Sequence, residues 1–126
     1  MKFARYTFLI SGIYGLIVLL PQYFLENKIG IDQPPAITHP EFFYGFVSVA
    51  VAFQFVFLVI ASDPVKYRAL MLVSLFEKFP FFFAVLALYL QSRVGWQMLA
   101  AASIDCFWGL MFLVSFLKTR SAQTMS

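Results

Sequence analysis

Three charged residues stand where charge is costly. Glu77 and Lys78 fall inside an apolar stretch running from about Ala69 to Leu90, and Asp105 falls inside another from about Gln97 to Leu117. At the centre of a membrane helix, Asp or Lys costs about 2.5–3.5 kcal/mol on insertion scales, so each needs a partner or a task. A carboxylate withheld from water can serve as acid or base near neutral pH. Counting about 1.5 Å per residue from the cation-bearing helix ends, Glu77 and Lys78 lie about 12–15 Å deep and Asp105 about 18 Å. Gln54 and Tyr14 fall near the level of Glu77. These five residues, drawn from four separate segments, define one polar layer at mid-depth and are the ligand-binding candidates.

That layer has three readings. In a structural one the charges are neutralised and hydrogen-bonded and fix helix register. In a binding one they line a pocket for a lipophilic ligand or a partner helix. In a catalytic or carrier one Glu77 and Asp105 move protons with Lys78 as counter-ion. Ala101, Asp105 and Gly109 share a helix face with Ala102 and Cys106 beside it, a small-residue face that turns Asp105 into the bundle. Lys78 is rotated about 100° from Glu77 on its helix, which leaves its stem free to snorkel to the interface. Side chains lean toward their own helix N-terminus, which sets Lys78 and Asp105 apart when their helices are antiparallel. Pro80 removes the amide bond to the Phe76 carbonyl beside the charges. At the opposite interface His39 and Glu41 form a second candidate pair for acid/base work.

Other chemistries have little to stand on. One cysteine (Cys106) and one histidine (His39) supply neither a disulfide nor a metal set, so no metal and no cofactor are expected. The net charge of +3 is not gathered into a basic face with interleaved aromatics, and the seventeen Phe residues sit in the apolar runs, which argues against nucleic acid.

The elements that must position these residues are dictated by composition. The chain has 126 residues, 62% hydrophobic and 12% charged. Soluble domains average about 45–50% apolar and 25% charged, so the solvent expected here is lipid. Twenty uncharged residues separate Arg5 from Glu26 and twenty-one separate Glu41 from Asp63. Each run matches the ~20 residues needed to cross a bilayer. With the two charge-bearing stretches, this predicts one domain, an all-α antiparallel bundle of four transmembrane helices over about 6–25, 41–61, 68–90 and 97–117. A polar, frayed tail is expected over 119–126. Thr38-His39-Pro40-Glu41 reads as a capping box, and Ser62-Asp63-Pro64 as an N-cap followed by a proline in the first turn. The one longer connection, Glu26 to Ile37, holds Gly30, Pro34 and Pro35.

Lys2, Arg5, Lys66, Arg68, Lys118 and Arg120 fall on one side against Lys28 and Arg93 on the other, which places both termini in the cytoplasm. The first span lacks a small-x-small cleavage site and is expected to be retained. Ser11-x-x-x-Gly15 and Ser48-x-x-x-Ala52 fit tight packing within the bundle or a homodimer.

Four spans in this length, cytoplasmic termini, one longer first external loop and glycines in the first span (Gly12, Gly15) resemble the small bacterial membrane proteins grouped as DoxX-like. The resemblance covers the whole chain in architecture and carries over no site residue. The outline is also similar to the four-helix EXPERA proteins, the sterol isomerase and sigma-2-like group, which use buried carboxylates. The function expected is that of a bacterial inner-membrane protein acting as a binding or accessory subunit. Its partners are the lipid bilayer and a lipophilic small molecule or a membrane protein. The alternative is a membrane-embedded acid/base enzyme or a proton-coupled carrier acting on a lipophilic small molecule.

Overall fold

The structure is a computed structural model that describes residues 2–33 and 36–124. Pro34 and Pro35 of the long connection, and Met125 and Ser126 of the tail, lie outside the described residues. The chain folds into α1 (Lys2–Leu19), a 3-10 turn (Leu20–Phe24), α2 (Glu26–Asp32), α3 (Pro40–Ser62), α4 (Arg68–Leu90) and α5 (Trp96–Thr124). Among the described residues there is no strand. Helix is the one form that satisfies every backbone amide and carbonyl of an apolar segment from within. Four of these helices are long and apolar enough to cross a membrane, and the protein is an integral, multi-pass membrane protein.

The connections differ in detail from the expectation. Pro21 lies in the 3-10 turn that ends α1, and the long connection contains a helix of its own. In α2, Glu26 lies in the first turn and Lys28 pairs with Asp32 at 3.0 Å, one turn on. The capping box does not form: His39 is the N-cap of α3 without a side-chain cap bond, and Glu41 Oε1 instead meets His39 Nδ1 at 3.0 Å. Asp63 caps a turn rather than α4, accepting the Lys66 amide at 3.2 Å, and α4 begins at Arg68. Pro80 lies within α4, which continues through it to Leu90. Where a polar tail was expected, α5 runs on to Thr124. Thr119 is fully buried; its hydroxyl donates to the Ser115 carbonyl and receives Arg68 Nε at 3.2 Å. The Arg68 guanidinium also donates to the Phe116 carbonyl at 3.0 Å and lies over the Phe116 ring, tying this turn of α5 to the start of α4.

The helices pack as two antiparallel pairs, α1 against α3 and α4 against α5, with α1 and α5 closing one side and α3 and α4 meeting more sparsely. The core sits at the end of the bundle that holds both termini. Phe8, Phe57 and Phe112 are fully buried there, with Phe8 stacked on Phe112 at 4.1 Å between centroids and Phe57 edge-on to Phe112 at 4.9 Å. Ala4, Ile60, Ala61 and Met71 complete this cluster. In lipid such a cluster is held by close contact and the absence of voids rather than by exclusion of water. The opposite half of the bundle is not filled in this way.

Candidate functional site

Where the packed half ends, a polar cluster begins. Lys78 Nζ lies 3.2 Å from Asp105 Oδ1 and 3.6 Å from Glu77 Oε2, and within 5.2 Å of the Phe57 ring centroid on its packed side. Lys78 does not snorkel. Its side chain is 5% exposed, that of Glu77 17% and that of Asp105 29%. The ammonium is therefore innermost, and the carboxylates stand between it and the open half of the bundle.

Glycines make this approach possible. A Cβ at Gly109 would lie 3.2 Å from Lys78 Cβ and 3.0 Å from the Phe79 ring. Gly109 stands four residues from Asp105 on α5, so the missing side chain admits α4 directly beneath the carboxylate. The small-residue face of α5 thus meets the charged face of α4, with Ala102 fully buried and Ala101 turned toward the cavity. On the other pair, Gly15 of α1 receives the side chain of Gln54 of α3, and any Cβ at Gly15 would collide with the Gln54 amide. Gln54 Nε2 donates to the Ala50 carbonyl at 2.8 Å, which fixes the amide so that Oε1 is the atom left over.

A cavity of about 820 Å³ opens from this cluster toward the end remote from the termini. Its floor is made by Ser11, Gln54, Glu77, Lys78 and Asp105, and its walls by Val18, Leu19, Phe46, Val49, Phe81 and Ile104. Leu25 and Ile29, flanking and within α2, and Gln33 and Ile37 line the far end. All four long helices contribute. Phe46 and Phe81 stack at 5.8 Å across the sparse α3–α4 seam. The size falls within the roughly 300–1,000 Å³ of ligand pockets, and an apolar wall with a few convergent polar groups is their usual make-up.

Three buried side-chain atoms among the described residues lack a hydrogen-bond partner: Ser11 Oγ, Gln54 Oε1 and Glu77 Oε2. All three belong to residues that line this cavity. A buried polar atom left unpaired costs about 1–3 kcal/mol, so three around one space mark it as built to receive complementary groups.

Of the residues singled out from sequence, Glu77, Lys78, Asp105, Gln54 and Tyr14 all line the cavity. Lys78 and Asp105 touch directly, and Tyr14 stands partly exposed beside Trp108. His39 and Glu41 do not join them; both are exposed and pair with each other at the start of α3. Ser11 and Gly15 are legible as a small-residue motif, and Gly15 forms the notch for Gln54. Ser11 belongs to the site by virtue of its unpaired hydroxyl, and no feature of the motif signals that. Ser48 of the second motif bonds Tyr23 at 2.7 Å. Among the described residues no group of three or more His, Cys, Asp or Glu is placed to hold a metal ion. Comparison of the chain with family models, curated proteins and solved structures finds no match.

Proposed function

We propose that this protein binds one lipophilic small molecule in the cavity between its four long helices, with the polar end of that molecule against Glu77, Lys78 and Asp105. The single observation that carries this reading is the placement of all three unpaired buried polar atoms, Ser11 Oγ, Gln54 Oε1 and Glu77 Oε2, around one cavity. A layer serving only to fix helix register has no use for such a space, because register is set equally well by a dry, fully paired cluster. The packed half of the bundle favours a retained molecule over passage, since Phe8, Phe57 and Phe112 close the path beneath the cluster. A binding or accessory subunit with both termini in the cytoplasm fits these features, as do the cations gathered at the terminal end.

An acid/base enzyme shares one supporting observation: Asp105, the most exposed of the three charged groups, faces the space a substrate would fill. Its reaction would be proton transfer to or from a lipophilic molecule held in place.

The test is native mass spectrometry of the purified chain, with Ala101→Phe as the blocking variant because Ala101 lines the cavity. The wild-type chain is expected to carry a small molecule at one per chain and Ala101→Phe to lose it. Equal retention by both would overturn the reading.

A further inference from the structure

The donor and acceptor balance of the cavity floor selects the head group of its occupant. The cluster holds two carboxylates and one ammonium, so at its formal charges it carries one net negative charge. The cation is the least accessible of the three, at 5% side-chain exposure, and lies against the Phe57 and Phe112 rings. An anionic head group would therefore meet Asp105 and Glu77 before it met Lys78. The unpaired atoms point the same way. Gln54, 2% exposed, has its NH₂ committed to Ala50, so Oε1 can only accept. Ionised Glu77 Oε2 likewise only accepts, and Ser11 Oγ, 1% exposed, takes either role.

We infer, resting on the pocket reading above, that the occupant is a long-chain amphiphile with a protonated amine at its polar end. The amine is seated against Asp105 and Glu77, and its N–H groups are offered to Gln54. A primary ammonium brings three donors and a positive charge, which matches an acceptor-rich, net-negative floor. An alcohol brings one donor and no charge; a carboxylate brings acceptors to a site that already has an excess of them. The apolar walls, Val18, Phe46, Val49 and Phe81, take the chain.

The test uses the full chain in nanodiscs of neutral phosphatidylcholine and three probes of one chain length: tritiated hexadecylamine, with hexadecanol and hexadecanoate as competitors. Saturable hexadecylamine binding is expected, with hexadecanoate competing at least about tenfold more weakly than unlabelled amine, as loss of a charge-assisted bond implies. Asp105→Asn keeps the volume and is expected to weaken the amine by about tenfold while leaving hexadecanol within about twofold. Hexadecanoate competing as well as the amine overturns the head-group inference while the pocket reading stands. Absence of saturable binding by all three probes overturns the pocket reading and this inference together. The comparison of probes on the wild-type chain decides the head group even where the variant does not fold.

Discussion

Lys78 and Asp105 meet at 3.2 Å across an antiparallel helix pair in which their side chains start out leaning in opposite directions. Gly109 resolves the conflict. With only hydrogen at that position, α5 comes close enough to α4 that a Cβ there would sit 3.2 Å from Lys78 Cβ. The long lysine stem then spans the remaining offset instead of running to the interface. A second carboxylate, Glu77 at 3.6 Å, shares the same ammonium from the neighbouring position on α4.

This sharing makes Lys78 the costliest of the three to remove. Lys78→Met leaves two carboxylates facing each other without a counter-charge, and breaking a buried pair in this way costs about 3–5 kcal/mol. Replacing all three at once, with Lys78→Met, Glu77→Gln and Asp105→Asn, removes the charges together and is expected to recover most of that loss. Unfolding followed by circular dichroism during titration with denaturing detergent measures both. A triple variant as unstable as Lys78→Met alone would show that the charges do not act as a unit.

Glycine notches set the second expectation. Gly15→Ala drives a methyl group into the Gln54 amide, and overpacking of this kind costs about 1–3 kcal/mol. Gln54→Ala in the same chain removes the obstruction, so the pair is non-additive by about 0.5–3 kcal/mol in a double-mutant cycle. Gly109→Ala has no such rescue through Gln54, because its obstruction is the Phe79 ring and Lys78 Cβ on the other helix pair. Equal rescue of both glycine variants by Gln54→Ala would contradict the assignment of separate contacts.

The aromatic plug and the aromatic surface separate in the same assay. Phe112 is fully buried between Phe8 and Phe57, and Phe112→Ala is expected to cost about 3 kcal/mol through the void it leaves. Phe76, 76% exposed on the outside of α4, loses little on the same truncation, within about 0.5 kcal/mol. Comparable losses at both positions would mean that the core lies elsewhere.

Much of the fold is legible in the sequence because lipid leaves few options. Uncharged runs of bilayer length specify helices, and short links between them specify antiparallel neighbours, so the four-helix bundle follows from Arg5, Glu26, Glu41 and Asp63 as boundary marks. The members of the polar layer are legible for a related reason: Glu77, Lys78, Asp105, Gln54 and Tyr14 are polar at depth, which sequence position alone reveals. Geometry within the layer is not. Whether Lys78 snorkels or turns inward depends on how closely two helices approach, and that is set by Gly109 in concert with Phe79, a tertiary pairing without a local signature. The cavity is hidden from sequence for the same reason, since an unfilled space is a property of all its walls. Helix ends also mislead: Thr38 and Glu41 have the spacing of a capping box, yet His39 captures Glu41.

Orientation across the membrane gives the last expectation. Arg5 donates to the Ala61 carbonyl at 3.2 Å and Arg68 to the Phe116 carbonyl, which sets these cations at one end of the bundle, whereas Arg93 lies in the turn at the other. Positive charge near helix ends biases that side toward the cytoplasm. In a Cys106→Ser background, single cysteines at Lys66→Cys and Arg93→Cys report the two ends to a membrane-impermeant maleimide. Arg93→Cys is expected to label on intact cells and Lys66→Cys only after permeabilisation. The opposite pattern would place the termini outside and turn the cavity toward the cytoplasm, so that its occupant would arrive from the inner leaflet. Labelling of both sites on intact cells would contradict the four-span topology itself, because Lys66 and Arg93 are separated by one full crossing of α4.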